Sequence, residues 1–133
     1  MGTHYPSQIQ PGDGPFGKIR KIVGIQLSSP YPDICYKLVM PDYGICIIGS
    51  VLAELGFDVE IFIEHVEPPD WHAVSSSDLV LMSTFSAAAR RIYELADLIR
   101  AELKIPVVMG GTHATYFVED CLKHCDVVVL REG

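Results

Sequence analysis

Apolar and polar positions alternate along the chain in blocks that predict strands and helices in turn. Five short runs are almost wholly apolar, as expected for strands buried on both faces of a parallel sheet: Ile19–Leu27, Asp58–Ile63, Asp78–Met82, Pro106–Met109 and Asp126–Leu130. Segments with apolar residues three and four positions apart predict the helices: one from Asp42 or Tyr43 to Leu55, then Ala87–Lys104 and Val118–His124, with a loop or short helix over Glu67–Val74. Ser86 is placed to cap the second helix.

This alternation predicts an α/β fold, a flavodoxin-like (Rossmann-like) three-layer sandwich with helices on both faces of one parallel sheet. Right-handed crossovers favour the strand order 2-1-3-4-5. Ligands in such sheets bind beyond the carboxyl ends of the strands, where the strand order reverses. Four stretches are therefore candidates for a site: Ser28–Tyr43, Ser83–Ala87, Gly110–Phe117 and the residues after Leu130.

Length and charge narrow the class of protein. The 133 residues suit one domain, and 10 basic against 17 acidic residues give a net charge of −7. An acidic chain lacks the electrostatic footprint of a nucleic-acid binder, and neither a membrane-spanning run nor a polybasic anchor is present. Residues 1–17, rich in Pro and Gly, predict a flexible leader before an α/β domain at 18–133. With no signal peptide and no disulfide framework, a cytoplasmic location is expected.

Several kinds of site are excluded because the residues that they require are absent from the sequence. Strand three ends in Ser83 instead of the Asp of a phosphorelay receiver, and no glycine-rich dinucleotide or P-loop motif follows strand one. Two small or polar stretches remain at the predicted strand ends, Ser83–Phe85 and Gly110–His113. Gly110-Gly111 would let a flat ligand approach the backbone, although a tight turn without a ligand explains it equally well. His113 could contact a ligand, act as a base or stabilise its own loop.

The segment from Asp78 to Val118 and the residues after it resemble the N-terminal cobalamin-binding domain of B12-dependent radical S-adenosylmethionine (SAM) proteins. The resemblance covers about residues 20–133. The pieces that carry it are Gly110-Gly111-Thr112-His113-Ala114-Thr115 after strand four, Arg131-Glu132-Gly133 where the family has a Gly-Glu-Gly-like turn, and Pro41–Ile45 with Leu52–Ile61, which are similar to the family's first helix and second strand. The resemblance implies cobalamin as the cofactor. The cofactor-binding residues it implies are Tyr43, Gly44, Ser83, Thr84, Phe85, Gly110, Gly111, Thr112, His113, Glu132 and Gly133.

The wider cobalamin-binding fold carries a D-x-H-x-x-G motif whose His ligates cobalt from below. Alignment on Gly44 places Val39 at the Asp position and Pro41 at the His position. Bound cobalamin is therefore expected to have no protein His ligand at this position, as is common in the radical SAM family. We also expect Val at Gly111 to block the ligand while sparing the fold.

The resemblance further implies a domain excised from a longer protein. The radical SAM barrel that would follow it holds a 4Fe–4S cluster on a CxxxCxxC motif and uses SAM, and this sequence contains no such motif. The chain by itself is expected to bind cobalamin and to catalyse nothing. Two alternatives remain open: a non-catalytic interaction domain of the same fold that has lost the cofactor, and a small-molecule enzyme with His113 as its base.

Overall fold

The computed structural model describes residues 19–29 and 43–131, so the predicted leader and most of the first candidate loop lie outside the described residues. The strands are β1 Lys21–Gln26, β2 Asp58–Ile63, β3 Leu79–Ser83, β4 Val107–Gly110 and β5 Val127–Val128. The helices are α1 Tyr43–Glu54, α2 Trp71–Ser75, α3 Ala89–Leu98, α4 Thr112–Tyr116 and α5 Val118–Leu122. A 3-10 turn, Ser86–Ala88, precedes α3, and a π-helical turn, Ile99–Leu103, continues it.

All five strands are parallel in the order β2-β1-β3-β4-β5, which confirms the predicted topology. The register aligns Gln26 with Ser83 and Ser83 with Gly110. The carboxyl ends of β1, β3 and β4 are therefore level with one another, and the residues that follow them meet along one edge.

One face of the sheet packs into a closed core. Val80 and Met82 of β3 and Val107 and Met109 of β4 point to this face and are at most 2% exposed. Helix α3 covers them with residues that recur at helical spacing and are fully buried: Ile92, Ala96 and Ile99. The predicted amphipathic pattern of this helix is thereby confirmed.

Helix α1 covers the opposite face over β1 and β2. A Cβ at Gly24 would lie 3.2 Å from Cδ1 of Ile45 on α1 and 2.5 Å from Cδ1 of Ile61 on β2, so both side chains pack directly against the backbone of β1 there. Leu81 and Val108, which alternate with buried residues of β3 and β4, are only partly buried on this side.

Two local predictions were wrong. Ser86 makes no capping bond to α3, because its hydroxyl pairs with His113 instead. The stretch after Gly111, predicted as a loop, forms the one-turn helix α4. Five-residue helices carry too little periodicity to be recognised from a pattern of apolar positions.

Candidate functional site

A cavity of about 650 Å³ lies at the carboxyl ends of β3 and β4, between α1 and α4. Its wall is mostly apolar and comes from α1, the last residues of β3 and β4, α4 and the segment after β5. The lining residues are Gly44, Ile45, Ile47, Ile48, Leu81, Met82, Ser83, Val108, Gly110, Gly111, Thr112, Thr115, Tyr116, Val129 and Arg131. The strand order reverses between β1 and β3, so the cavity adjoins, at the end of β3, the place where ligands of such sheets are expected.

The structure brings part of the predicted set of site residues together. The predicted residues that line the cavity are Gly44, Ser83, Gly110, Gly111 and Thr112. Tyr43 is the first residue of α1. Thr84, Phe85 and His113 lie next to the lining residues in sequence without lining the cavity, and Glu132 and Gly133 fall outside the described residues.

Thr84 joins the ends of β3 and β4. Its side chain is buried, and its hydroxyl donates to the carbonyl of Gly110 at 2.7 Å and accepts from the backbone N–H of Ala114 at 2.9 Å. Its own backbone N–H donates to the same Gly110 carbonyl at 2.8 Å. Thr84 thus fixes where β4 ends and where α4 begins, which sets the shape of the cavity rim.

Gly111 has a backbone conformation that requires glycine. Its φ is +102°, and a Cβ would lie 2.7 Å from the carbonyl oxygen of Thr84 and 2.9 Å from its nitrogen. Both contacts are with backbone atoms that cannot move aside independently of the sheet. The structure therefore contradicts the expectation that Val at this position would spare the fold, because the first added carbon already meets the protein.

His113 sits in a buried polar cluster behind the cavity. Its Nδ1 pairs with Ser86 Oγ at 3.0 Å and its Nε2 with Tyr93 Oη at 2.6 Å, while Phe117 stacks on the ring with centroids 4.7 Å apart. Burial lowers the pKa of His113, against a weaker opposing effect of Asp120. Of the three roles left open by the sequence, the contacts favour the loop-stabilising one, because both ring nitrogens are already paired.

Tyr93 extends this cluster along α3. Its ring stacks on His124 with centroids 4.2 Å apart, and its hydroxyl lies 3.6 Å from Cys121 Sγ. Burial, with the neighbouring Cys121, raises the pKa of Tyr93 well above its usual range, so the phenol stays protonated. The cluster anchors α4 and α5 to α3.

Sequence reasoning missed several lining residues. Two of them, Ile47 and Ile48 of α1, are 62% and 41% exposed. The sequence of α1 already indicated a second apolar contact surface, because the helix is apolar on nearly all sides and carries Glu54 as its one charge. Tyr116, 77% exposed, and Thr115 belong to the unpredicted α4. Arg131 was part of the segment that resembles a Gly-Glu-Gly-like turn, but it was not among the predicted site residues.

Arg91 links the ends of the first two strands. Its Nη1 and Nη2 donate to the two carboxylate oxygens of Glu64, at 2.6 and 2.9 Å, and Nη1 also donates to the Ser28 carbonyl at 2.6 Å. Glu64 in turn accepts from the backbone N–H of Ser28 at 3.0 Å. The hydrogen bonds from Arg91 lower the pKa of Glu64 despite partial burial. The chain is thereby held in place where it leaves β1.

Comparison with known proteins identifies the kind of domain. The B12 binding domain family matches residues 33–133. The chain belongs to this family. The B12 binding domain has cobalamin as its ligand, and the parallel 2-1-3-4-5 sheet is the flavodoxin-like fold of such domains.

One curated relative gives more distant support. Bacteriochlorophyllide d C-12(1)-methyltransferase from Chlorobaculum tepidum is 29% identical over 86 residues, which are 65% of this chain. The aligned part is 19% of that protein, so this B12 binding domain spans about a fifth of its relative. No solved structure matches the chain. Within residues 19–29 and 43–131, no helix is long and apolar enough to cross a membrane.

The cavity suits a cofactor of this kind. Its volume falls within the roughly 300–1,000 Å³ usual for sites of organic cofactors, and its wall is mostly apolar with a few polar groups at the rim. Gly110 adds to the fit because it lines the cavity without a side chain, and a Cβ there would come into ordinary contact with Val129 at 3.7 Å without overlap.

Proposed function

We propose that this domain binds cobalamin with the nucleotide tail in the cavity between α1 and α4 and the corrin over the carboxyl ends of the strands. The cavity is the observation that carries the proposal, because it lies at the carboxyl ends of β3 and β4, beside the strand-order reversal between β1 and β3, in a chain of the B12 binding domain family. The flat, apolar base of the tail suits walls formed by Leu81, Val108 and Val129.

The protein's own contribution is to bind, orient and exclude water. Ser83 and Thr112 place hydroxyl groups at the rim of the cavity, and Gly110 allows the ligand to approach the backbone. Thr84 and His113 act behind them, since their hydrogen bonds fix the turn that carries Gly111 and Thr112. When bound, cobalamin supplies a cobalt that carries a methyl group or tunes radical chemistry.

The proposed binding mode places no protein imidazole on cobalt at the usual motif position. Val39 and Pro41 occupy the motif positions of Asp and His, and both lie outside the described residues. With the base held in the cavity, the cobalt would be free of its own base as well. Electron paramagnetic resonance of the bound Co(II) form tests this: we expect no nitrogen splitting from a histidine, and a clear splitting would contradict it.

The full protein is proposed to be a B12-dependent radical SAM enzyme. A domain with a 4Fe–4S cluster and SAM would follow this one, and the cobalamin held by this domain would carry a methyl group or tune the radical chemistry. The family resemblance of the Gly110–Thr115 segment supports this context, and the relative from Chlorobaculum tepidum is by its name a methyltransferase. The domain itself is proposed to bind without catalysing a reaction.

Titration with hydroxocobalamin, followed by the absorbance of the corrin, tests the proposal. We expect saturable binding by the wild-type chain and a large loss for Gly110→Val, whose side chain would enter the cavity beside Val129. Leu98→Ala is the matched control, because Leu98 is an exposed apolar residue of α3 away from the cavity. Circular dichroism checks folding. A folded wild-type chain that binds no corrinoid would instead support an interaction domain that has lost its cofactor.

A further inference from the structure

Arg131 differs in charge from every other described residue that lines the cavity. It lies in the segment after β5, and the other described lining residues are uncharged. In a chain of net charge −7, a single cation at the mouth of an apolar cavity selects for an anionic group on the ligand. We propose that Arg131 binds the phosphodiester of the cobalamin nucleotide tail, an inference that rests on the proposed function.

The backbone of Arg131 is fixed to the cavity wall. Its N–H donates to Thr115 Oγ1 at 3.0 Å, and the same hydroxyl donates to the Gly111 carbonyl at 3.0 Å. Two residues earlier, the N–H of Val129 donates to the Met109 carbonyl at 2.8 Å. The guanidinium is therefore carried by a position held against both β4 and α4, which reduces the entropy lost when it engages a ligand.

The backbone conformation of Arg131 costs stability. Its φ is +57°, in the left-handed region, where residues with a Cβ incur a steric cost that glycine does not. Lys104 shares this conformation at φ +57°, but there it ends the helical segment that continues α3, a common use of the left-handed region. No helix ends at Arg131. A strained position that keeps a long cationic side chain at a cavity points to a role for that side chain.

Arginine suits the proposed partner. The guanidinium is planar, remains charged and can donate two parallel hydrogen bonds to the oxygens of a phosphate. The cavity wall on which it lies is mostly apolar and includes Val129, which limits the screening of the pair by water on that side. The same wall accepts the base that adjoins the phosphodiester in the nucleotide tail. Base and phosphate would thus be recognised by different parts of one cavity.

Two corrinoids separate this inference from the proposed function. Cobalamin carries the nucleotide and its phosphodiester, whereas cobinamide lacks both. We expect Arg131→Gln to weaken hydroxocobalamin binding roughly tenfold to a hundredfold, the usual worth of a hydrogen bond to a charged group, and to leave cobinamide binding unchanged. Arg131→Lys, which keeps the charge but not the paired donors, should lose less. Added salt should weaken cobalamin binding to the wild-type chain more than to Arg131→Gln.

Arg131→Gly separates binding from folding. Glycine relieves the left-handed conformation, so thermal unfolding should occur at the same or a higher temperature, while cobalamin binding falls as it does in Arg131→Gln. Arg90→Gln, the loss of an exposed arginine on α3, is the charge-matched control and should change neither affinity. Unchanged cobalamin affinity in Arg131→Gln, or an equal loss for cobinamide, would overturn the inference while leaving the proposed function intact. A wild-type chain that binds neither corrinoid would overturn both.

Discussion

Helices α3 and α1 cover opposite faces of the same sheet and leave them in different states. Beneath α3, the inward residues of β3 and β4 are at most 2% exposed and no large apolar side chain on that face of these strands is left in solvent. On the α1 side, the alternate residues of the same strands are only partly buried and border a cavity. Adjacent residues of one strand therefore have different roles. The residues on the α3 side stabilise the fold, and those on the α1 side leave room for a ligand.

Met109→Ala and Leu81→Ala test this difference most directly, because the two residues lie on the paired strands β4 and β3 and point to opposite faces. Met109 is fully buried and does not line the cavity, and its truncation leaves a void in a packed core, so we expect a loss of about 3 kcal/mol in the free energy of unfolding. Leu81 is partly buried at the cavity, and its truncation should cost only about 1 kcal/mol. Urea denaturation followed by circular dichroism measures both.

The effects of the two variants on cobalamin binding should have the opposite order to their effects on stability. Leu81→Ala enlarges the cavity that we propose for the nucleotide tail, so it should weaken cobalamin binding more than Met109→Ala in protein that remains folded. Equal losses of stability for the two variants would mean that the open face carries as much of the fold as the closed one, contrary to the comparison.

Gly110, the last residue of β4, and Gly111, which follows it, are the next two positions to compare. Gly111→Ala would place a Cβ within 3 Å of the Thr84 backbone at a φ of +102°, and we expect a loss of about 2–3 kcal/mol from strain and overlap. Gly110→Ala meets nothing closer than 3.7 Å, so its effect on stability should stay within about 0.5 kcal/mol. Thermal unfolding of the two variants gives the difference. A stable Gly111→Ala protein would show that the turn can open without loss of the sheet.

The fold was predictable because its strongest signals are periodic. Long apolar runs identified the five strands, and the spacing of Ile92, Ala96 and Ile99 identified α3, whose buried stripe is as regular as its sequence suggests. The partly buried face of the sheet on the α1 side is also indicated by the sequence. Helix α1 is apolar on more sides than a helix with a single buried face requires, and Ile47 and Ile48 border the cavity from it.

The site was only partly predictable, because a sequence shows which residues lie at a strand end but not the direction of each side chain. Ser83 and Thr84 are neighbours, yet Ser83 lines the cavity while Thr84 turns into the protein and bonds Gly110. His113 was a candidate contact, and its partners Ser86 and Tyr93 lie 27 and 20 residues away in the chain. Pairings over such separations depend on the packing of α3, which no local pattern encodes.

A smaller effect tests how α3 is tied to the carboxyl end of the sheet. Glu64→Gln removes the charge that pairs with Arg91, in a partly buried setting with two hydrogen bonds, and should cost about 1 kcal/mol. Glu94→Gln, which breaks the exposed pair between Arg90 and Glu94 on the same helix, should cost at most about 0.5 kcal/mol. Chemical denaturation at neutral pH compares them. If both variants lose the same small amount, Arg91 does not anchor the end of β1.

The pH dependence of stability should also reveal the cluster behind the cavity, since burial lowers the pKa of His113 in the folded state. The unfolded chain then binds a proton at His113 more readily than the folded chain, so the stabilising contribution is complete above the unfolded pKa of about 6.5 and is lost as the pH falls below it. The loss cannot exceed about 1 kcal/mol over the first pH unit, since one proton is involved.

His113→Gln should remove this slope. Gln keeps a polar group for Ser86 or Tyr93 but does not titrate, so the variant should be less stable than the wild type at pH 7.5 and lose less stability between pH 6.5 and about 5.5. Glu64 and Asp78, whose pKa values are lowered by hydrogen bonds, contribute their own loss only at more acidic pH, below their ordinary values of 4.5 and 3.8, and leave this window clear. His72→Gln on α2, an exposed histidine outside the cluster, is the matched control. If the slope persisted in His113→Gln, the buried cluster would not be its source, and the contacts of His113 with Ser86 and Tyr93 would have to survive protonation of the ring.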